Sequence, residues 1–269
     1  MRLLISGLLR FDSGKTTTGL GLLSRFKEVG ITIRPLKPVA GHNSWYSFST
    51  LLRSIEMGIL AGNDALKYHD ESGVDVREIN PFAVMLGVPD PALFMDSTRT
   101  YLRYMEEGMP IMLRLEDCSS RKGVHLVTRS VQYLPSGLRK YVEELSLKVE
   151  AIEVEEREAR ELVERSWLLA DGCVKMWKGD LLIESYNDAA VPTPSSLDVE
   201  IVLIVAPGRV FMYDGVRFKE AVTTLGSPWN VSSYDVFRLI RPLESMPLDP
   251  ISPNSLNRVA DKIIKMSGG

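Results

Sequence analysis

"GLLRFDSGKTTTG", residues 7–19, follows directly on the apolar run "RLLIS" (2–6) and runs into "TTTGLGLLSRFKEVG" (16–30). The run before it predicts a buried strand. The stretch after it predicts a helix, with Leu20, Leu22, Leu23 and Phe26 apolar and a stop at Gly30. A glycine-lysine pair between a strand and a helix has the sequence and the setting of a phosphate-binding loop. Glycine lets the backbone approach an anion, amides at the helix start point at it, lysine neutralises it, and a hydroxyl holds Mg²⁺. That reading assigns Ser13, Gly14, Lys15, Thr16 and Thr17 to a nucleotide's phosphates. The standard spacing puts the first glycine at position 9, where Leu9 stands, and the nearest glycine upstream is Gly7. The loop is therefore longer than usual.

Working outward, "ITIRPLK" (31–37) predicts the next strand, so strand, helix and strand imply a right-handed crossover in a parallel sheet. "DLLIES" (180–185) and "EIVLIVA" (200–206) are apolar with little alternation, as central strands are. Glu184 ends the first of these, at the sheet edge where the loop lies, and offers a carboxylate to a metal or water; the alternative is a loop carboxylate without a role. Asp180 begins the same strand and belongs at the opposite edge. Lys37, in "LKPVAGHNSW" (36–45), stands at the carboxyl end of the second strand, where a second lysine stabilises charge on a phosphoryl group in transfer. His42 is either a ligand or acid/base group or, more simply, a hydrogen-bonding loop residue. With His69 and His125 it forms no metal spacing.

The rest of the chain reads more plainly. "SLKVEAIEVEEREARELVERSWLLADG" (146–172) predicts one solvated amphipathic helix ending near Gly172. "RVFMYDGVRFKEA" (209–221) predicts a hairpin about its Asp-Gly pair, and "IMLRLEDCSSRKGVHLVTR" (111–129) another hairpin or two strands of an insertion. "NSLNRVADKIIKM" (254–266) predicts a C-terminal helix. "GNDALKYHDE" (62–71), taken alone, is a helix start with Asn63 or Asp64 as its cap.

At 269 residues the chain accommodates one large α/β domain or two small ones, and without repeats or a Gly/Ser-rich linker one continuous domain over 1–269 is the simpler expectation. A net charge of −3 provides no general basic field for nucleic acid or an anionic membrane, so both are disfavoured as partners. Cys118 and Cys173, far apart in sequence, suggest neither a disulfide framework nor a zinc site, and a reduced cytoplasm fits. No apolar run approaches the length of a membrane span.

Taken in order, "SGLLRFDSGKTTTG", "LKPVAG", "GNDALKYHDE", "INPFAVMLGVPDPA" and "LLIESYNDAAVP" resemble dethiobiotin synthetase and its wider P-loop relatives, which include the cobyrinic acid amidase type. The resemblance covers about residues 1–100 and 178–206; residues 105–175 are foreign to it and form an expected insertion. It implies a P-loop NTPase three-layer fold with a mostly parallel central sheet, ATP and Mg²⁺ as cofactors, a homodimer and a small-molecule substrate. It gives Lys15 and Lys37 as catalytic contacts to phosphate and transition state, and Thr16, Asp64 and Glu184 as the surroundings of Mg²⁺. The implied chemistry is phosphorylation of a carbamate or small carboxylate by ATP, which needs positioning and charge neutralisation more than a covalent nucleophile.

The chain also departs from the family. After Glu184 it has "SYNDAAVP" in place of a glycine-rich turn, so Tyr186, Asn187 and Asp188 point to a different substrate. The base-binding segment has only Asn230 as a candidate, which leaves ATP and GTP both open. Two further readings stand beside the first. One is a nucleotide-switched partitioning or assembly ATPase, which would place an additional lysine early in the loop where only Arg10 is basic. The other is a polynucleotide 5′-kinase, which the acidic balance disfavours.

Overall fold

The computed structural model describes residues 1–120, 122–249 and 254–267. The chain begins β1 (Arg2–Gly7), α1 (Lys15–Glu28), β2 (Arg34–Leu36), β3 (Val39–Asn43), α2 (Phe48–Met57), α3 (Asn63–Ser72), α4 (Val76–Ile79) and β4 (Phe82–Gly87). It continues α5 (Thr98–Glu107), β5 (Met109–Asp117), β6 (Lys122–Thr128), α6 (Ser136–Lys148), β7 (Ile152–Val154), α7 (Glu156–Glu164) and α8 (Ser166–Met176). The last elements are β8 (Leu181–Glu184), β9 (Ile201–Ala206), β10 (Arg209–Asp214), α9 (Gly215–Leu225), α10 (Ser233–Leu239), β11 (Glu244–Pro247) and α11 (Asn254–Ser267).

The strands form two sheets. The first has the order β11-β10-β9-β1-β8-β2, with β9, β1, β8 and β2 parallel and β10 and β11 antiparallel. Strand β1 lies between β8 and β9, and Leu3, Leu4 and Ile5 are fully buried, which is why its sequence is apolar without alternation. Leu3 and Ile5 pack with Leu22 and Phe26 of α1, Tyr68 of α3 and Val259 and Ile263 of α11. Leu4 faces the other way, towards Phe218 and Val222 of α9 and Val236 of α10. Helices thus cover both faces of this sheet.

The second sheet has the order β3-β4-β5-β6-β7, parallel at its two outer pairs and antiparallel between. Its core sets Met85 and Ile111 against Leu51 and Ile55 of α2 and Leu138 and Val142 of α6. On the opposite face Phe82 and Leu113 meet Ala159 of α7 and Ala170 of α8. The α/β class expected from the sequence is what forms, but in place of one central sheet there are two mixed sheets, the first of which keeps four parallel strands. The reason lies at Lys37-Pro38. Proline has no amide to continue the ladder, so pairing with β8 stops at Leu36 and the chain passes into β3 of the other sheet.

Three further expectations are corrected. Residues 146–172 do not form one helix. α6 stops at Lys148, Glu150 takes a left-handed φ of 51°, the β-branched Ile152 and Val154 pair with β6, and the helix containing Gly172 runs on to Met176. The Asp214-Gly215 pair makes no hairpin. Asp214 accepts a hydrogen bond from the Arg217 amide and caps α9, and a Cβ on Gly215 would lie 1.8 Å from the Val199 carbonyl. Cys118 and Cys173 are joined in a disulfide, because the end of β5 packs against α8 and brings their Cα atoms to 5.3 Å despite a sequence separation of 55. The inference of a reducing compartment from these cysteines therefore loses its premise. The expected hairpin at 111–129 is present as β5 and β6, with Arg121 outside the described residues. Among the described residues no helix is long and apolar enough to cross a membrane.

Candidate functional site

The register of the first sheet builds the site. Leu36 pairs with Ile183, and Ile5 with Glu184, so the carboxyl ends of β1, β8 and β2 lie side by side. Glu184, Lys37 and the loop after Gly7 therefore share one edge, where ligands of parallel sheets bind. Asp180, at the other end of β8, pairs with the N-terminal amine 2.5 Å away, at the opposite edge as expected.

The loop folds on itself before the helix begins. The Leu8 amide still bonds to Val205 of β9, and Ser13 Oγ donates to the Leu9 carbonyl at 2.7 Å and accepts from the Leu9 amide at 3.0 Å. Asp12 and Gly14 then take left-handed φ values of 52° and 87°, which turn the backbone into α1. No side chain caps α1. Its first amides therefore have no capping side chain at the positive end of the helix dipole. The displaced glycine has a role of its own, since a Cβ on Gly7 would lie 2.7 Å from both Lys15 Nζ and Ser13 Oγ. Gly7 makes the room in which the lysine folds back over the strand end.

Glu184 is at the centre and fully buried. Its Oε1 accepts hydrogen bonds from Lys37 Nζ at 2.5 Å and Thr16 Oγ1 at 3.0 Å, and its Oε2 accepts from Tyr68 Oη at 2.5 Å. Lys37 also lies 3.2 Å from Asp64 and donates to the Ser185 carbonyl at 2.8 Å. Burial alone would lower the pKa of Lys37, but Glu184 and Asp64 more than offset it, so the ammonium is held charged. Burial pushes the Asp64 carboxyl up, yet Lys37 and Thr16 bring it below its usual range. Lys15 Nζ donates to the Asn187 carbonyl at 2.6 Å and has no ion-paired carboxylate among the described residues, and burial followed by Lys37 lowers its pKa. Burial and then Glu184 raise the Tyr68 phenol well above its ordinary value, so it is a donor.

All of these groups except Tyr68 and Ser185 border a cavity of about 470 Å³. Ser13, Gly14, Lys15, Thr16, Thr17, Lys37, Asp64 and Glu184 all line it, together with Arg10, Lys67, Tyr186 and Asn187. The structure thus brings together every residue that the sequence singled out for phosphate or metal. Asn230 is not in the lining; it ends a short turn beside Trp229, which stacks on Trp167. His42 is on β3 rather than in a loop and is buried. Neither Asn63 nor Asp64 caps α3, because Gly62 holds that position, Asn63 accepts from Thr50, and Asp64 faces Lys37.

Three contributors were not read from sequence. Lys67 and Tyr68 lie on α3 one turn beyond Asn63 and Asp64, Lys67 lining the cavity and Tyr68 buried behind it against Glu184. Asn80, buried, accepts from the Gly62 amide and donates to the carbonyls of Lys37 and Phe82. It ties the start of α3 to the crossing between the sheets, and so fixes Asp64 relative to Lys37. The Asn-Pro-Phe stretch was the available signal for it.

No known protein family, no curated protein and no solved structure matches the chain.

Proposed function

We propose that this protein binds the phosphates of ATP together with Mg²⁺ and transfers the terminal phosphoryl group to a small carboxylate or carbamate. One observation carries the reading. The uncapped start of α1, with Lys15 folded over Gly7, opens onto the same cavity as the Lys37, Glu184 and Asp64 cluster. The resemblance of the motifs to dethiobiotin synthetase supports it independently of the geometry.

A hydroxyl and two carboxylates are the hard oxygen donors that suit Mg²⁺, which commonly takes one or two carboxylates and completes its shell with phosphate and water. Thr16, Asp64 and Glu184 would hold it. When bound, the ion neutralises charge on the phosphates. The amides of α1 and the Lys15 ammonium bind and orient the phosphate chain. Lys37, which keeps both carboxylates neutralised in the meantime, is close enough to the cavity to turn its ammonium towards the transferring group. An acceptor oxygen attacks the terminal phosphorus as the bond to the ADP oxygen breaks, giving ADP and an acyl or carbamoyl phosphate. No covalent intermediate on the protein is required.

Tyr186 and Asn187, lining the cavity where the family has small residues, belong to the acceptor side and point away from the biotin precursor as the natural substrate. The homodimer implied by the resemblance is part of the same proposal. The test is phosphate release from Mg·ATP and Mg·GTP, with and without bicarbonate plus a diamino acid. Turnover that is lost in Lys15→Ala supports the phosphoryl-transfer reading, and its stimulation by the diamine would restore the biotin precursor as substrate against the reading of Tyr186 and Asn187. No Lys15-dependent turnover with any acceptor contradicts it.

A further inference from the structure

We propose that Tyr68 is a positioning residue for Glu184, and that it commits Glu184 to bind the metal through Oε1 alone. The inference rests on the reading of Glu184 as a ligand of Mg²⁺. Its basis is the division of the carboxylate between two surroundings. Oε2 is 2.5 Å from Tyr68 Oη, with both side chains fully buried, while Oε1 takes Thr16 and Lys37 at the cavity wall. A carboxylate with two free oxygens binds a cation through either or through both. One whose second oxygen is held by a buried phenol away from the cavity presents only the first, from which Lys37 and Thr16, both at the cavity, turn aside when the ion binds.

Two helices build this arrangement. α3 carries Asp64 and, four residues on, Tyr68, so one helix face supplies a ligand and also orients the other ligand. α1 carries Thr16 and, three residues on, Gly19, where a Cβ would lie 2.0 Å from Tyr68 Oη. The absent side chain is the space that the hydroxyl fills. Without the phenol, Oε2 is a buried acceptor with no partner, and the carboxylate turns to seek one. Hydrogen bonds to metal ligands typically account for tenfold to a hundredfold in metal affinity.

The experiment measures Mn²⁺ uptake by electron paramagnetic resonance on the full chain, with a non-hydrolysable ATP analogue present. Tyr68→Phe keeps the ring and removes the hydroxyl. Gly19→Ala keeps the hydroxyl and displaces it from Glu184. Both variants should bind Mn²⁺ about tenfold more weakly or worse, while affinity for the analogue without metal stays close to wild type and Tyr68→Phe, though its unfolding midpoint falls by a few degrees, still unfolds in one cooperative transition. Wild-type Mn²⁺ affinity in Tyr68→Phe, or in a folded Gly19→Ala, overturns the role of Tyr68 and leaves the phosphate site intact. A wild-type protein that takes up no Mn²⁺ with the analogue overturns this inference and the magnesium reading together.

Discussion

Lys37 Nζ lies 2.5 Å from Glu184 Oε1, with both residues almost wholly removed from solvent. They meet because Lys37 is the first residue past the paired part of β2 and Glu184 the last of β8, on adjacent parallel strands. The lysine is thus at once a structural counter-charge and the group nearest the two carboxylates proposed to hold Mg²⁺. Replacing it should separate those two roles. Lys37→Ala should keep Mg·ATP affinity within about tenfold and lower turnover by about a hundredfold or more. The same change leaves Glu184 without its cation, at a cost of about 3 to 5 kcal/mol. Thermal unfolding should show that loss, and added Mg·ATP should recover part of it.

Gly7 explains the unusual length of the loop and can be tested directly. A methyl group there meets Lys15 Nζ and Ser13 Oγ at 2.7 Å. Gly7→Ala should therefore displace Lys15 and weaken nucleotide binding about tenfold or more, whereas Gly30→Ala, with no atom near its added Cβ, should affect only stability. Equal affinities in calorimetric titration would remove Gly7 from the site.

The disulfide between Cys118 and Cys173 closes a loop across 55 positions, for which chain entropy alone predicts about 4 kcal/mol of stabilisation. Cys118→Ser should lower the unfolding midpoint by several degrees and leave nucleotide affinity unchanged, since neither cysteine borders the cavity. An unchanged midpoint would mean that the bond does not form in solution.

Stability should also depend on pH through two histidines. Burial lowers His42 to about 4, and burial with the nearby Arg114 and Arg77 lowers His125 to about 4. His125 Nε2 accepts from the Leu60 amide, which requires the neutral ring. Both rings are neutral when folded, and the unfolded chain binds more protons between about pH 4 and 6.5. Stability is therefore full above about 6.5 and falls as pH drops towards 4, by up to about 1.4 kcal/mol per unit for each histidine. Melting curves across that window should show the slope, and His125→Gln should reduce it.

What the sequence disclosed follows from what is local. β1, α1, β8 and β9 were legible because uninterrupted apolar runs and a glycine-lysine pair are written within a few residues. The partners of Glu184 were not all legible, since Tyr68 reaches it across 116 positions through the packing of α3 on α1. Ile152 and Val154 were hidden in a charge-rich segment because β7 is a three-residue edge strand that pairs on one side only. The Asp214-Gly215 pair was misread because turns and helix caps use the same chemistry, and only the close Val199 carbonyl distinguishes them here.

The central claim is that Lys15 and the start of α1 hold nucleotide phosphates. Titration of a fluorescent ATP analogue with Mg²⁺ into the wild-type protein and Lys15→Ala tests it most directly. The account predicts saturable wild-type binding, competed by unlabelled ATP, and a loss of about a hundredfold or more in the variant. Equal affinity in the two proteins, or no binding by the wild type, would contradict it.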